Sequence, residues 1–177
     1  MSSPVWTATV QASALAAVSN GIGQIITNQR TKGKASSSIS LSALVRFMIV
    51  SGLCTPPNYK FQLALEKHFP SDVGANGSMD RKSIINTVIK LAIDQTVALV
   101  LNCVFYIVGM CVLEGNSYAQ IKAALKQGLG PMIRASYKFW PAVTLLNLVA
   151  VPVEQRTLVG NIAGFFWGIY VSFSDFA

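Results

Sequence analysis

Charge is what this sequence has least of. Only 12% of its 177 residues are Asp, Glu, Lys or Arg, about half the share of a soluble globular domain, whereas 52% are apolar. The shortage of charge argues against an ordinary water-facing surface, and the apolar content excludes disorder over most of the chain. Acidic residues are the scarcer sign, 7 against 14 Lys and Arg, for a net charge of +7. On a soluble protein that excess would point to nucleic acid. Here the basic residues sit between apolar runs, as they do at the ends of membrane helices, and no nucleic-acid partner is expected.

Metal-binding and nucleophilic residues are also sparse. Cys54, Cys103 and Cys111 lie in apolar surroundings without a Cys-x-x-Cys pair, which reads as small buried hydrophobes and excludes a disulfide scaffold. The single histidine, His68, sits beside Lys67 in a charged stretch, so a zinc site of the usual composition cannot be assembled. There is no GxxxxGK[ST] loop and no GxSxG elbow, and Gly128-Leu129-Gly130 lacks the third glycine of a dinucleotide loop. The expectation is a protein that is not an enzyme, with no catalytic residue, no cofactor and no metal.

Long apolar runs are what the sequence does have. Residues 1–29 carry no charge, and the run lacks the basic start of a secretory signal and exceeds its length. Arg30, Lys32 and Lys34 follow it, then the Ser36-Ser37-Ser38 connector. A second run extends from Ile39 to Tyr59, broken by Arg46 and by Thr55-Pro56-Pro57, where two missing backbone donors are expected to end or kink a helix. Gly74, Asn76 and Gly77 mark a turn in the mixed-charge stretch that follows. Gln95 to Leu113 is free of charge, entered by Lys90 and Asp94 and left through Glu114-Gly115. Tyr118 to Leu129 reads as a short amphipathic interfacial segment, ended by Gly128, Gly130 and Pro131. After the polar hinge Val153-Glu154-Gln155-Arg156, a last run from Thr157 to Ser174 carries Trp167 and Tyr170 as interface anchors.

The fold class expected is all-α: a single multi-pass membrane domain over 1–177, with spans near 5–27, 41–59, 90–113 and 157–174 and an embedded or interfacial helix at 131–153. Basic residues divide too evenly among the loops to orient it. The partners this implies are the lipid bilayer and small solutes or ions. A homo-oligomer follows if the small-residue face Gly160, Gly164 and Gly168 packs against another copy rather than within the chain.

Polar groups inside such spans need a partner or a wet cavity. The candidates are Asn20 and Gln24 in the first span, Arg46 in the second, Lys90, Asp94, Gln95 and Asn102 in the third, and Asn147, Glu154, Arg156 and Asn161 near the end. Two readings stand. As clamps, they tie helices together, with Lys90 and Asp94 paired one helical turn apart. As a polar passage, Arg46, Asp94 and Arg156 line a route between helices.

The order of motifs resembles one family: the small four-span proteins typified by the peroxisomal membrane protein of twenty-two kilodaltons and the mitochondrial inner-membrane protein Mpv-seventeen. Trp140-Pro141, Asn147, Val151-Pro152, Arg156, Trp167 and Tyr170-Val171-Ser172 follow the family's C-terminal spacing. Lys90, Asp94 and Gln95 with Leu113-Glu114-Gly115 match its third block, Arg46, Pro56, Glu66 and Pro70 its second, and Asn20 and Gln24 its first. Thr55, Tyr59, Gln62, Val100, Gly130 and Thr144 depart from its common residues. The resemblance implies an organelle membrane protein linked to permeability, pore-forming or channel-like for small solutes, with a non-conducting scaffold or tether as the alternative. Asn161 to Trp167 is closer to the peroxisomal branch, so the peroxisomal membrane is expected, and the mitochondrial inner membrane is the alternative.

Overall fold

The computed structural model describes residues 4–30, 38–71, 78–151 and 155–172, and within them all regular structure is helical. Ser36 and Ser37 of the expected connector, the turn at Gly74, Asn76 and Gly77, and Val153 and Glu154 of the hinge lie outside the described residues. Helix α1 runs Pro4–Arg30, α2 Leu41–His68, α3 Arg81–Ile93 and α4 Leu99–Leu113, with a π-helical turn, Asp94–Ala98, joining α3 and α4 into one column. Helix α5 spans Tyr118–Ala150 and α6 spans Arg156–Ser172.

Local chemistry sets the ends. Ser40 and Asp80 cap α2 and α3 by accepting from the backbone N–H of Ala43 (3.3 Å) and Ser83 (2.8 Å). Ser117 and Gln120 form a reciprocal capping box at the start of α5. Helix α4 stops at Gly115, whose φ of +78° suits glycine. There the Asn116 N–H bonds the Cys111 carbonyl and the Gly115 N–H that of Val112, a Schellman closure.

Two expected breaks do not occur. Helix α2 continues through Pro56 and Pro57, and α5 through Gly128, Gly130, Pro131 and Pro141. The interfacial segment at 118–129 and the helix placed at 131–153 are therefore one 33-residue helix ending at Ala150. Proline removes a donor, yet a helix held by its neighbours absorbs that loss when other groups take up the freed carbonyls. Beside the Pro pair, the Thr55 hydroxyl donates to the Ser51 carbonyl at 2.7 Å.

Side-chain contacts give the direction of each column. Arg46 meets Glu114, Asn58 meets Asn102, Gln62 meets Asp94 and Glu66 meets Lys90, so α2 and the α3–α4 column are antiparallel. Cys103 facing Ser136, and Asp94 facing Thr144, make α4 and α5 antiparallel as well. Helix α6 runs parallel to α1, since Asn161 reaches the Ala8 carbonyl and Ser172 reaches Asn20.

Several polar residues are buried beside the apolar core, and many large apolar residues face outward. Lys90 is 1% exposed, and Ser19, Asn20, Thr87, Gln95 and Ser136 are buried, whereas Leu41 and Leu53 are at least 70% exposed and Leu101, Phe105, Leu146, Phe166 and many other apolar residues face outward. In water that outer surface would be a large unsatisfied patch; against hydrocarbon it is the favourable face. The all-α expectation is borne out. The count of spans is narrower: among the described residues one column, Arg81–Leu113, is both long and apolar enough to cross a bilayer, and the apolar Leu158–Ser172 is shorter.

Candidate functional site

A partly open cavity of about 960 Å³ lies between α1, α2, α4, α5 and α6. One end is polar. There α2 contributes Asn58, Gln62 and Glu66, a stripe at i, i+4 and i+8 on one face. The π-helical turn contributes Asp94 and Gln95, α5 contributes Thr144 and Asn147, and α6 contributes Arg156. The other end is apolar, lined by Phe47, Tyr106, Trp140, Trp167 and Val171. Phe47 and Tyr106 meet edge to face with ring centroids 5.7 Å apart, and fully buried Ile107 follows one residue after Tyr106.

The Asp94 carboxylate accepts from three neutral donors: Gln62 Nε2 at 2.7 Å, Gln95 Nε2 at 2.8 Å and Thr144 Oγ1 at 3.0 Å. The wide turn beneath it leaves the Gln95 carbonyl to the Tyr137 hydroxyl, at 3.0 Å. Widened helical turns recur at functional sites because they re-aim side chains by a fraction of a turn. Two acceptors on the cavity lining, Gln95 Oε1 and Asn147 Oδ1, are buried without a partner.

Glu66 organises the rim. Its Oε2 accepts from Lys90 Nζ and from Arg156 Nη1, both at 2.7 Å, and Lys90 Nζ also donates to Ser71 Oγ at 2.6 Å. Arg156 also donates through Nε to the Val151 carbonyl and through Nη2 to the Leu148 carbonyl. Glu66 lies past the twenty-odd residues of α2 that would span hydrocarbon. Partial burial pushes its carboxyl up, but the bonds from Lys90 and Arg156 outweigh this and hold it below its ordinary value.

The sequence candidates divide. Asp94, Gln95, Asn147 and Arg156 come together on the cavity, with Asn102 and Asn161 further along it. Asn20, Gln24, Arg46 and Lys90 do not line it. Gln24 links α1 to the start of α2 by bonding both the N–H and the carbonyl of Ser40 while donating to Asn20, which in turn donates to Ser172. Arg46 pairs with Glu114 at the opposite end of the bundle, so it is no part of a common passage with Asp94 and Arg156. The expected Lys90–Asp94 pair is also absent, because the Lys90 ammonium is taken by Glu66 and Ser71.

The glycine stripe is not one packing face. A Cβ on Gly168 would collide with the Ser19 side chain of α1, one on Gly160 would sit 3.8 Å from Asn147 Nδ2, and one on Gly164, which lines the cavity, would meet nothing within 4 Å. The residues missed from sequence are Glu66 as a hub, Gln62, Thr144, and the Asn58–Asn102 amide pair, which exchange bonds at 2.7 and 2.9 Å. The polar stripe on α2 was the signal for Asn58, Gln62 and Glu66, and it was obscured by the expected break at the Pro pair. Among the described residues no cluster of His, Cys, Asp or Glu could hold a metal ion.

Comparison with known proteins bears out the resemblance drawn from the motifs. The profile of the Mpv17 / PMP22 family matches residues 111–172. Peroxisomal membrane protein 2 of Bos taurus is 28% identical over 171 residues, covering 96% of this chain and 82% of that protein. PXMP2/4 family protein 3 of Dictyostelium discoideum is 29% identical over 172 residues, covering 97% of this chain and 84% of that one. Protein SYM1 of Saccharomyces cerevisiae is 30% identical over 90 residues, 51% of this chain and 46% of its own length. No solved structure matches.

Proposed function

We propose that this chain, a member of the Mpv17 / PMP22 family, is a multi-pass peroxisomal membrane protein whose internal cavity makes the bilayer permeable to small solutes. The observation that carries this is the polar lining of the cavity inside a bundle that turns many large apolar side chains outward. Polar side chains are costly in hydrocarbon, and a wetted route is the common reason to keep them. The spacing of the ion pairs supports a transverse orientation. Arg46, which pairs with Glu114, and Glu66, which pairs with Lys90 and Arg156, stand twenty residues apart on α2. At 1.5 Å per residue that is about 30 Å, the thickness of a hydrocarbon core.

The multi-pass reading includes helices that are less apolar than the Arg81–Leu113 column. The role proposed is not enzymatic, and the partners are the bilayer and small solutes or ions, with self-association where copies share a face. The apolar ring contact between Phe47 and Tyr106 on the cavity wall favours a second reading, a non-conducting tether. Reconstitution in liposomes decides between them: solute release or single-channel current supports the passage, and silence under all conditions supports the tether. In a conducting preparation, Asp94→Asn is expected to lower the cation-to-anion permeability ratio, because it removes from the cavity lining a carboxylate whose own hydrogen-bond partners are all neutral. An unchanged ratio places the permeant route elsewhere.

The peroxisomal assignment follows the 28% identity with Peroxisomal membrane protein 2. A fluorescent fusion is expected to track a peroxisomal marker, and one that follows a mitochondrial inner-membrane marker reverses the assignment.

A further inference from the structure

The outer surface of α5 carries a row of cations for which the described part of the chain supplies no counter-charge. Lys122, Lys126, Arg134 and Lys138 are spaced by multiples of four residues, and all are exposed. At 1.5 Å per residue the row is about 24 Å long. Helix α5 contains no Asp or Glu. Among the described residues the carboxylates are engaged elsewhere: Glu66 by Lys90 and Arg156, Glu114 by Arg46, Asp80 by the Ser83 N–H, and Asp94 by three neutral donors. None of the four cations has an ion pair or hydrogen bond there. A second copy would bring the same engaged groups from its described residues.

The row descends into the apolar zone of the bundle. Helix α5 starts shortly after Glu114, so Lys122 and Lys126 belong to the face marked by the Arg46–Glu114 pair. Farther along, Ser136 faces Cys103 within the apolar α4, and Arg134 and Lys138 flank Ser136 on the opposite side of α5. A cation at that depth is costly in hydrocarbon unless an anion reaches it. Helical side chains lean toward the N-terminus of their helix, which for α5 is the Arg46–Glu114 face. Between the two pairs the helix is bare: Gly130 is exposed, and a Cβ on it would meet nothing within 4 Å. Lys126 and Arg134 stand one turn to either side, each about 6 Å along the axis. Two cations flanking bare backbone suit a phosphate, and an arginine can bind two of its oxygens at once. We propose that this face of α5 binds the phosphate of an anionic phospholipid, seated over Gly130 between Lys126 and Arg134. Lipid fits better than a free phosphate or an acidic protein segment, because the same side of the helix continues into exposed Leu145, with exposed Leu146 beside it, where acyl chains would lie. The inference rests on the multi-pass orientation of the bundle and not on its permeability.

The test uses the purified full chain in dodecyl maltoside, with bound lipid counted by native mass spectrometry. Phosphatidylglycerol and phosphatidylcholine of the same acyl chains are titrated in parallel; both carry a phosphate, and only the first keeps a net charge. Saturable binding is expected for phosphatidylglycerol, about tenfold tighter than for phosphatidylcholine, as one charge-assisted bond would give. Lys126→Gln combined with Arg134→Gln should abolish that preference with the thermal midpoint unchanged, since neither side chain has a partner to lose. Lys60→Gln combined with Lys67→Gln, on exposed positions of α2, changes net charge equally and should leave the preference intact. Gly130→Trp should weaken binding several-fold by covering the bare turn, again with the fold retained. Equal binding of the two lipids, a preference that survives the α5 double substitution, or an equal loss in the α2 pair would each overturn the proposal. So would full competition by glycerol 3-phosphate or by hexaglutamate, which would give the face to a free phosphate or to an acidic protein segment. A protein that pellets after carbonate extraction yet shows no preference removes this inference alone, whereas one released by carbonate removes the membrane reading with it.

Discussion

Glu66→Gln should be the most damaging single substitution at the polar end, lowering stability by about 3 kcal/mol. That is the low end for breaking a buried ion pair, chosen because the Glu66 side chain is 27% exposed. The cost comes mostly from what is left behind. Lys90 is 1% exposed, and although an amide oxygen can still accept from it beside the Ser71 hydroxyl, the ammonium would be held in an apolar surrounding with no counter-charge. Arg156 would lose the same counter-charge. Lys90→Met in the Glu66→Gln background should recover part of the loss, since it deletes the stranded charge. Arg46→Gln at the other end should change stability by no more than about 1 kcal/mol, because that pair is 27% and 35% exposed. Acid provides a second check. The Glu66 carboxyl is held below its ordinary value of 4.5 in the folded protein, so its contribution is complete above that value and fades as pH falls through the folded one. The gap in thermal midpoint between parent and Glu66→Gln, followed in detergent from neutral pH downward, should close on the acid side. A constant gap would mean that the charge on Glu66 contributes nothing.

Composition and run length were enough to reveal an all-helical chain, and motif spacing was enough to single out Asp94, Gln95, Asn147 and Arg156. Partner choice was not legible, for physical reasons. Lys90 and Asp94 are one turn apart on one helix, and local spacing favours pairing them. The pairing found instead depends on the α2 stripe running past Pro56 and Pro57 to bring Glu66 against Lys90. A proline pair reads as a stop when a helix must satisfy its own backbone, but not when neighbouring helices hold it in place. The same rule hid the unity of α5, where Gly128, Gly130 and Pro131 fall inside one helix. The π-helical turn at Asp94–Ala98 has no composition of its own, so nothing local indicated that Asp94 and Gln95 would both line a cavity. The partner of Arg46 was hidden for a simpler reason. Its distance along the chain from Glu114 says nothing of their meeting until α2 and α4 are known to be antiparallel.

The glycines of α6 separate a close helix crossing from a cavity wall, and they should respond in opposite ways. Gly168→Leu is expected to destabilise the fold by several kcal/mol. Its Cβ alone would collide with Ser19, which is fully buried and bonded to the Ala16 carbonyl at 2.9 Å, so neither side chain nor helix has room to yield. The crossing is tight from the other side as well, because a Cβ on Gly23 of α1 would run into Ser172. A pair of glycines facing a pair of serines lets α1 and α6 approach closely, and Ser172 joins them through Asn20 at 3.1 Å. Gly164→Leu, one turn earlier, should leave the thermal midpoint in detergent near that of the parent, since a Cβ there meets nothing within 4 Å and the added side chain enters the cavity. It should instead reduce solute flux in liposomes by filling the space that a solute needs. Equal loss of stability in the two variants would show that the stripe packs as a single face; a tolerated Gly168→Leu would show that α1 and α6 are not in close contact.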